Sequence, residues 1–138
     1  MNVVLDTNVL LVSLPSHSRY HSIYQALLGK VFDMFVSNEI MTEYEEQINL
    51  RIGIERTDLQ LQELLNLSNL HPIEPFYSWQ LIQADPDDNK FCDCAIACNA
   101  DYLVTNDKHF NVLARIPFPA VTTVRAEEFL KIIIEQRQ

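Results

Sequence analysis

The chain has 138 residues, 19 of them acidic and 10 basic, for a formal net charge of −9. Hydrophobic residues make up 48% and charged residues 21%, which excludes a disordered chain and suits one globular domain over residues 1–138. So acidic a balance excludes holding nucleic acid by bulk positive charge; if nucleic acid is the partner, the carboxylates must serve some purpose beside it.

In chain order, Val3-Val4-Leu5 is an apolar, β-branched run that reads as a fully buried strand. Residues 18–28 carry Tyr20, Ile23, Tyr24 and Leu27 at helical spacing, and Gly29 ends the helix. Residues 32–36 read as a second strand. Ser37-Asn38 then offers N-caps for a helix to about Leu50, with Ile40, Tyr44 and Ile48 on one face. Thr57 or Asp58 is expected to cap the next helix, which carries Leu59, Leu61, Leu64, Leu65 and Leu67. Residues 71–74 form a weak strand candidate, broken by Pro72 and Pro75.

A connection with one helical turn around Trp79 is expected to follow. Asp87 or Asp88 caps a helix to about Ala97, and Asn99 stands where a helix often stops in left-handed geometry. Tyr102-Leu103-Val104 and residues 121–124 are two further strands, and residues 126–136 a closing helix. The stripe Phe129, Leu130, Ile133 and Ile134 reads as core. Strands alternating with helices predict a three-layer α/β/α sandwich around a parallel sheet, with ligands at the carboxyl ends of the strands.

The chain opens without the basic n-region of a signal peptide, and no apolar run approaches a membrane span, so a soluble cytoplasmic protein is expected. Cys92, Cys94 and Cys98 lie in one segment with no second pair of zinc-ligand spacing, and read as buried cysteines of a packed helix. With glycine only at 29 and 53, neither a P-loop nor a dinucleotide fingerprint is possible.

The acids fall in a pattern on this scheme. Asp6 follows the first strand and Asp107 follows the Tyr102 strand, each at the carboxyl end. Glu43 lies in the second turn of the helix after the second strand, with Glu39, Glu45 and Glu46 as rivals. Asp93 sits in an apolar helix, where an acid is seldom buried without a partner, and Asp88 stands near the start of that helix. Close carboxylates stay ionised together only with a cation among them. Oxygen ligands suit Mg²⁺ or Mn²⁺, and a pair of such ions is a known device for phosphodiester cleavage by a metal-activated water.

Asp6-Thr7-Asn8 after a short strand, Ser37 leading to Glu43-Tyr44, Asp85-Pro86-Asp87-Asp88-Asn89-Lys90-Phe91 leading to Asp93-Cys94-Ala95-Ile96-Ala97, and Tyr102-Leu103-Val104-Thr105-Asn106-Asp107 together resemble a PIN-domain nuclease. More narrowly, they resemble the toxin component of a bacterial toxin–antitoxin system of the VapC type. The resemblance covers nearly the whole chain. It implies a Mg²⁺- or Mn²⁺-dependent ribonuclease with Asp6, Glu43, Asp93 and Asp107 as metal-binding, catalytic acids. It also implies Asn8 and Thr105 as supporting polar residues, with Asp88 as a supporting residue or helix cap. Relatives often carry glycine where this chain has Asn99 and Asn106. Asparagine tolerates left-handed geometry, but the Asn106 side chain could crowd or contact substrate.

Lys90 and Lys108 flank the acidic motifs as candidate phosphate contacts, and Arg19, Arg51 and Arg56 are candidates for an RNA path. His109 reads as a surface residue. Implied partners are an RNA substrate, a cognate antitoxin that could insert a basic side chain among the acids, and a second copy of the chain. Two alternatives remain. One is a catalytically inert PIN-like binding module. The other is a Mg²⁺-binding receiver-like domain, disfavoured because no acceptor Asp follows residues 71–74 and no Lys follows residues 121–124.

Overall fold

The structure is a computed structural model that describes residues 1–137. Five strands are β1 (Asn2–Leu5), β2 (Asp33–Val36), β3 (Leu70–Pro72), β4 (Tyr102–Val104) and β5 (Thr123–Val124). They form one sheet in the order β3-β2-β1-β4-β5, with every neighbouring pair parallel. Six α-helices connect them: α1 (Thr7–Ser13), α2 (His21–Leu28), α3 (Asn38–Ile52), α4 (Ile54–Leu65), α5 (Asn89–Ala97) and α6 (Ala126–Arg137). Two 3₁₀ segments, Pro86–Asp88 and Lys108–Arg115, precede α5 and follow β4.

Val3, Val4 and Leu5 are all fully buried. Alternate residues of a strand face opposite sides, so helices must cover both faces of β1, as an α/β/α sandwich requires. The large core side chains come from every layer: Phe32, Tyr44, Phe91, Phe110 and Phe129 are buried. Phe129 and Ile133 of the α6 stripe join this core, while Ile134 is exposed. Cys92, Cys94 and Cys98 are buried and unbridged, as expected of packed helix residues. Among the described residues, no helix is long and apolar enough to cross a membrane.

Several elements differ from the sequence expectation. Helix α1 starts directly after Asp6, within a polar Asp-Thr-Asn segment that gives little helical signal, and is built on buried Val9, Leu10 and Leu11. Neither Thr57 nor Asp58 caps a helix. Helix α4 already begins at Ile54, because Gly53 takes φ +81° and lets the chain turn from α3 within one residue. Thr57 is buried, and its hydroxyl donates back to the Gly53 carbonyl at 2.6 Å. No helical turn forms at Trp79. That segment is irregular, and Trp79 packs edge-on against Tyr77 and Phe118, with ring centroids 4.7 and 6.2 Å away.

Ser37 caps α3 as expected, accepting from the Ile40 N–H at 3.3 Å. Asn99 has φ 51° and so closes α5 in the left-handed region. Asn106 does not share that geometry. Its side-chain oxygen instead accepts from the Ala126 N–H at 3.0 Å and ties the β4 exit to the start of α6.

Candidate metal centre

The register of the sheet sets the first contact of the site. Leu5 lies opposite Val104, so the next residues, Asp6 and Thr105, stand side by side where both strands end. The Thr105 hydroxyl donates to Asp6 Oδ2 at 2.8 Å and accepts from the Asp107 N–H at 3.0 Å. One buried threonine therefore orients one acid and fixes the backbone of another. Asn8, one turn position beyond Thr7, is exposed.

Asp6 occupies the N-cap position of α1, with extended backbone angles, yet its side chain makes no capping bond. Asp88 immediately precedes α5 with helical backbone angles, as the last residue of the 3₁₀ segment, and its side chain makes no capping bond. The nearby Asp85 does cap: it accepts from the Asp87 N–H at 3.2 Å and starts the short 3₁₀ segment. An aspartate at an N-cap ordinarily stabilises its helix by about 1 kcal/mol through that bond. Asp6 forgoes it.

The Asp6 and Asp88 carboxylates both lie among other acids. Burial pushes the Asp6 carboxyl above its usual range; Thr105 and the Thr7 N–H oppose that, while the charges of Asp107 and Glu43 add to it. Burial likewise pushes Asp88 up to about 6, reinforced by Asp107, Asp85 and Asp6 and eased by His109. Asp6 is only 6% exposed. Asp88 Oδ2 is buried with no hydrogen-bond partner. Asp107 caps the 3₁₀ segment after β4, with Oδ1 accepting from the His109 N–H at 2.9 Å.

Of the four glutamates in α3, Glu43 alone is half-buried; Glu39, Glu45 and Glu46 are exposed. Glu43 accepts from the Thr7 hydroxyl of α1. The neighbouring Tyr44 points inward and donates to the Leu5 carbonyl, which pins α3 to the end of β1. Lys90 Nζ lies 2.8 Å from Glu43 Oε1 and 2.9 Å from Asp87 Oδ1. Burial pulls the Lys90 ammonium down, but its bonds to Glu43 and Asp87 prevail and leave it raised. Lys90, expected to face phosphate, is thus engaged by protein carboxylates. Lys108 is exposed. Arg19 is held by Glu127 at 3.1 Å, and Arg51 and Arg56 are exposed.

Asp93 has different surroundings. It lies five residues beyond Asp88, about 140° further around the helix. Its Oδ1 accepts from the Trp79 N–H at 3.2 Å. Burial raises its carboxyl; the Trp79 N–H lowers it, and Glu39 is the carboxylate that raises it. The structure therefore groups Asp6, Asp88, Asp107 and Glu43, and sets Asp93 against the Trp79 segment. Asp93 lines a groove of about 560 Å³ together with Ser78, Gln80, Asn89 and Lys90. A second groove, of about 380 Å³, continues past Lys90 to Glu43.

His109, read from the sequence as a surface residue, is exposed as expected, yet it also stands beside the acids. Its ring is half exposed, but Nδ1 stands 3.4 Å from Asp107 Oδ1 and 3.6 Å from Asp88 Oδ2. Single ligand atoms of Asp85, Asp88 and His109 lie within 4.8 Å of one another, close enough to hold a metal ion. The only advance signal was its position two residues after Asp107.

The fold and this edge define a class: a parallel α/β/α domain with a carboxylate cluster where the central strands end. A family model described as PIN domain matches residues 2–109, and the chain belongs to that family, whose members are typically nucleases. Three solved structures share the fold over 91% of this chain and 98% of theirs. VapBC2 from Rickettsia felis, bound to a promoter DNA fragment, is 24% identical with a TM-score of 0.64. DNA-bound VapBC from Salmonella typhimurium is 15% identical with a TM-score of 0.62. FitAcB from Neisseria gonorrhoeae is 15% identical with a TM-score of 0.60. Comparison with curated protein sequences gives no significant match.

Proposed function

We propose that this PIN domain is a metal-dependent endoribonuclease and the toxin of a toxin–antitoxin pair. The observation that carries the reading is the gathering of carboxylates where β1 and β4 end: Asp6 leaves its helix cap unmade, Asp88 Oδ2 is buried without a partner, and the charges of Asp107 and Asp6 act on Asp88. Such an arrangement lowers stability unless a cation joins it. The donors suit Mg²⁺ or Mn²⁺, since carboxylate oxygens dominate and a buried Asp88 oxygen lacks a partner.

Asp6, Asp88 and Asp107 would hold the ion, with Glu43 as the fourth acid. Asp88 is preferred here to Asp93 because the charges of Asp107 and Asp6 act on it, whereas Asp93 is engaged by Trp79 and Glu39. A bound divalent ion acidifies water and offsets phosphate charge, the chemistry that phosphodiester hydrolysis needs. The chain's own residues prepare the place. Thr105 orients Asp6, Thr7 and Lys90 hold Glu43, and exposed Lys108 stands beside Asp107 for a substrate phosphate. The polar groove walls at Ser78, Gln80 and Asn89 offer hydrogen bonds to a single RNA strand.

The net charge of −9 then acquires a role. RNA binding becomes weak and dependent on the ion, which suits brief encounters in the cytoplasm. An antitoxin that places a basic side chain among the acids would compete with the ion for the same oxygens. Resemblance to the VapBC and FitAcB structures supports such a partner, and a second copy of the chain belongs to the same reading.

The test is cleavage of RNA by pure protein with Mn²⁺, repeated with Asp6→Asn, Asp88→Asn and Asp93→Asn. Cleavage is expected to vanish in the first two and to persist in the third. Equal cleavage by the parent and Asp6→Asn would sink the assignment.

A further inference from the structure

The carboxylates supply oxygen donors, but a ring nitrogen stands among them. Asp107 Oδ1 holds the His109 N–H at 2.9 Å, and this turn brings the imidazole back over the edge. Nδ1 then lies 3.4 Å from Asp107 Oδ1 and 3.6 Å from Asp88 Oδ2. Both separations exceed the range of an N–H···O hydrogen bond, about 2.7–3.2 Å. They fit two ligands of one ion. Donors about 2.1 Å from a shared centre stand about 3.0 Å apart in an octahedron and about 3.4 Å apart in a tetrahedron.

The surroundings of that oxygen point the same way. Asp88 Oδ2, the atom facing Nδ1, is buried without a hydrogen-bond partner, on a side chain that is 14% exposed. A buried oxygen left unpaired costs about 1–3 kcal/mol, and the donor that faces it, His109 Nδ1 at 3.6 Å, stands too far away to satisfy it directly. Asp85 brings a third ligand atom within 4.8 Å of the other two.

We propose that His109 Nδ1 is a nitrogen ligand of the divalent ion held at Asp88, and that it makes the centre select Mn²⁺ over Mg²⁺. Mg²⁺ takes oxygen ligands and gives up water reluctantly. Imidazole suits transition ions, and a mixed nitrogen and oxygen site ranks Mn²⁺ below Zn²⁺ in intrinsic affinity. One histidine in a set of aspartates therefore moves the preference away from Mg²⁺ without turning the site into a thiolate or all-imidazole zinc centre. This inference rests on the metal-dependent reading above and names the ion for that same site.

Metal-free protein is loaded with Mn²⁺ and examined by electron spin-echo envelope modulation, which detects nitrogen bound to the ion. The parent is expected to show imidazole nitrogen modulation, and His109→Ala and His109→Gln to lose it while still binding Mn²⁺. By calorimetry, both variants should lose about tenfold in Mn²⁺ affinity, the usual scale for a contributing ligand shell, with Mg²⁺ affinity changed less than about twofold. Mn²⁺ bound without nitrogen modulation overturns the His109 assignment and leaves the metal-dependent reading standing. Equal loss for both ions overturns the selectivity. Failure of the parent to bind Mn²⁺ at all overturns the metal-dependent reading, and this inference with it.

Discussion

Lys90 reaches across from α5 to place its ammonium 2.8 Å from Glu43 of α3, with only 8% of the lysine side chain exposed. The pair joins two helices and seats a fixed positive charge at the rim of the acidic group. Asp87, the third member, is 75% exposed and contributes less. Replacing Lys90 by Met leaves Glu43 beside the other acids with no cation. Urea denaturation of metal-free Lys90→Met is expected to show a loss of about 2 kcal/mol, below the usual cost of orphaning a fully buried charge because Glu43 is partly wet. Mn²⁺ should bind this variant more tightly than the parent, since a competing charge is gone. Unchanged stability would mean that the ion pair is incidental.

The raised carboxyls make a pH dependence of definite sign. Burial, and then the charges of Asp107, Asp85 and Asp6, push the folded Asp88 carboxyl up to about 6, above the ordinary aspartate value of 3.8. Between those values the folded state holds a proton that the unfolded chain has released. Stability of the metal-free protein should therefore fall as pH rises from about 4 to 6, by on the order of 2 kcal/mol, and then level off. Asp6 acts in the same sense. Asp87, lowered first by its bond to Lys90, acts in the opposite sense but weakly, because it is exposed. Thermal melts of chelator-treated protein at pH 5 and pH 7 measure this, and Mn²⁺ at pH 7 should restore what the higher pH removes. A melt that rises steadily from pH 4 to 7 would contradict it.

Thr105 serves Asp6 and Asp107 with one hydroxyl. Thr105→Val keeps the shape and removes both bonds, which should lower stability by about 1–2 kcal/mol and metal affinity by about 10–100-fold. Thr105→Ser, which keeps the hydroxyl, should stay close to the parent in both. Calorimetric titration of the two variants separates orientation of Asp6 from simple packing, since only loss of the hydroxyl should weaken ion binding.

Asn106 is the control on the same loop. Its oxygen accepts from the Ala126 N–H and serves the start of α6 rather than the acids. Asn106→Ala should lower stability by about 1 kcal/mol, the usual value of a lost helix cap, and leave the Mn²⁺ isotherm unchanged. A shift in that isotherm would show that Asn106 reaches the acidic edge.

The strands and most helices were legible because their signals are local. Val3-Val4-Leu5 and Tyr102-Leu103-Val104 are short apolar runs, and Ser37 caps the helix that the spacing of Ile40, Tyr44 and Ile48 predicts. The start of α1 carried no such signal, since a helix that opens on Thr7-Asn8 is held by what it packs against. The acids divided along the same line. Asp6, Asp107 and Glu43 follow from chain order alone. Preferring Asp88 to Asp93 in the proposed site rests on the segment around Trp79, because a buried-looking aspartate in an apolar helix can be satisfied by a backbone N–H from fourteen residues away. His109 read correctly as a surface residue, but its approach to Asp88 was not legible, because only the turn set by Asp107 brings the ring back there.

The strand order β3-β2-β1-β4-β5 has one more consequence. From β1 the chain first steps toward β2 and β3, then crosses over to β4 on the other side. Connections of opposite sense leave a crevice at the ends of β1 and β4, whatever side chains line it. Asp6 and Thr105 stand at that topological switch point, and Asp107 leaves it two residues later. Specificity in this scaffold can therefore diverge through the two short exits from β1 and β4, while the hydrophobic sheet beneath them stays as it is.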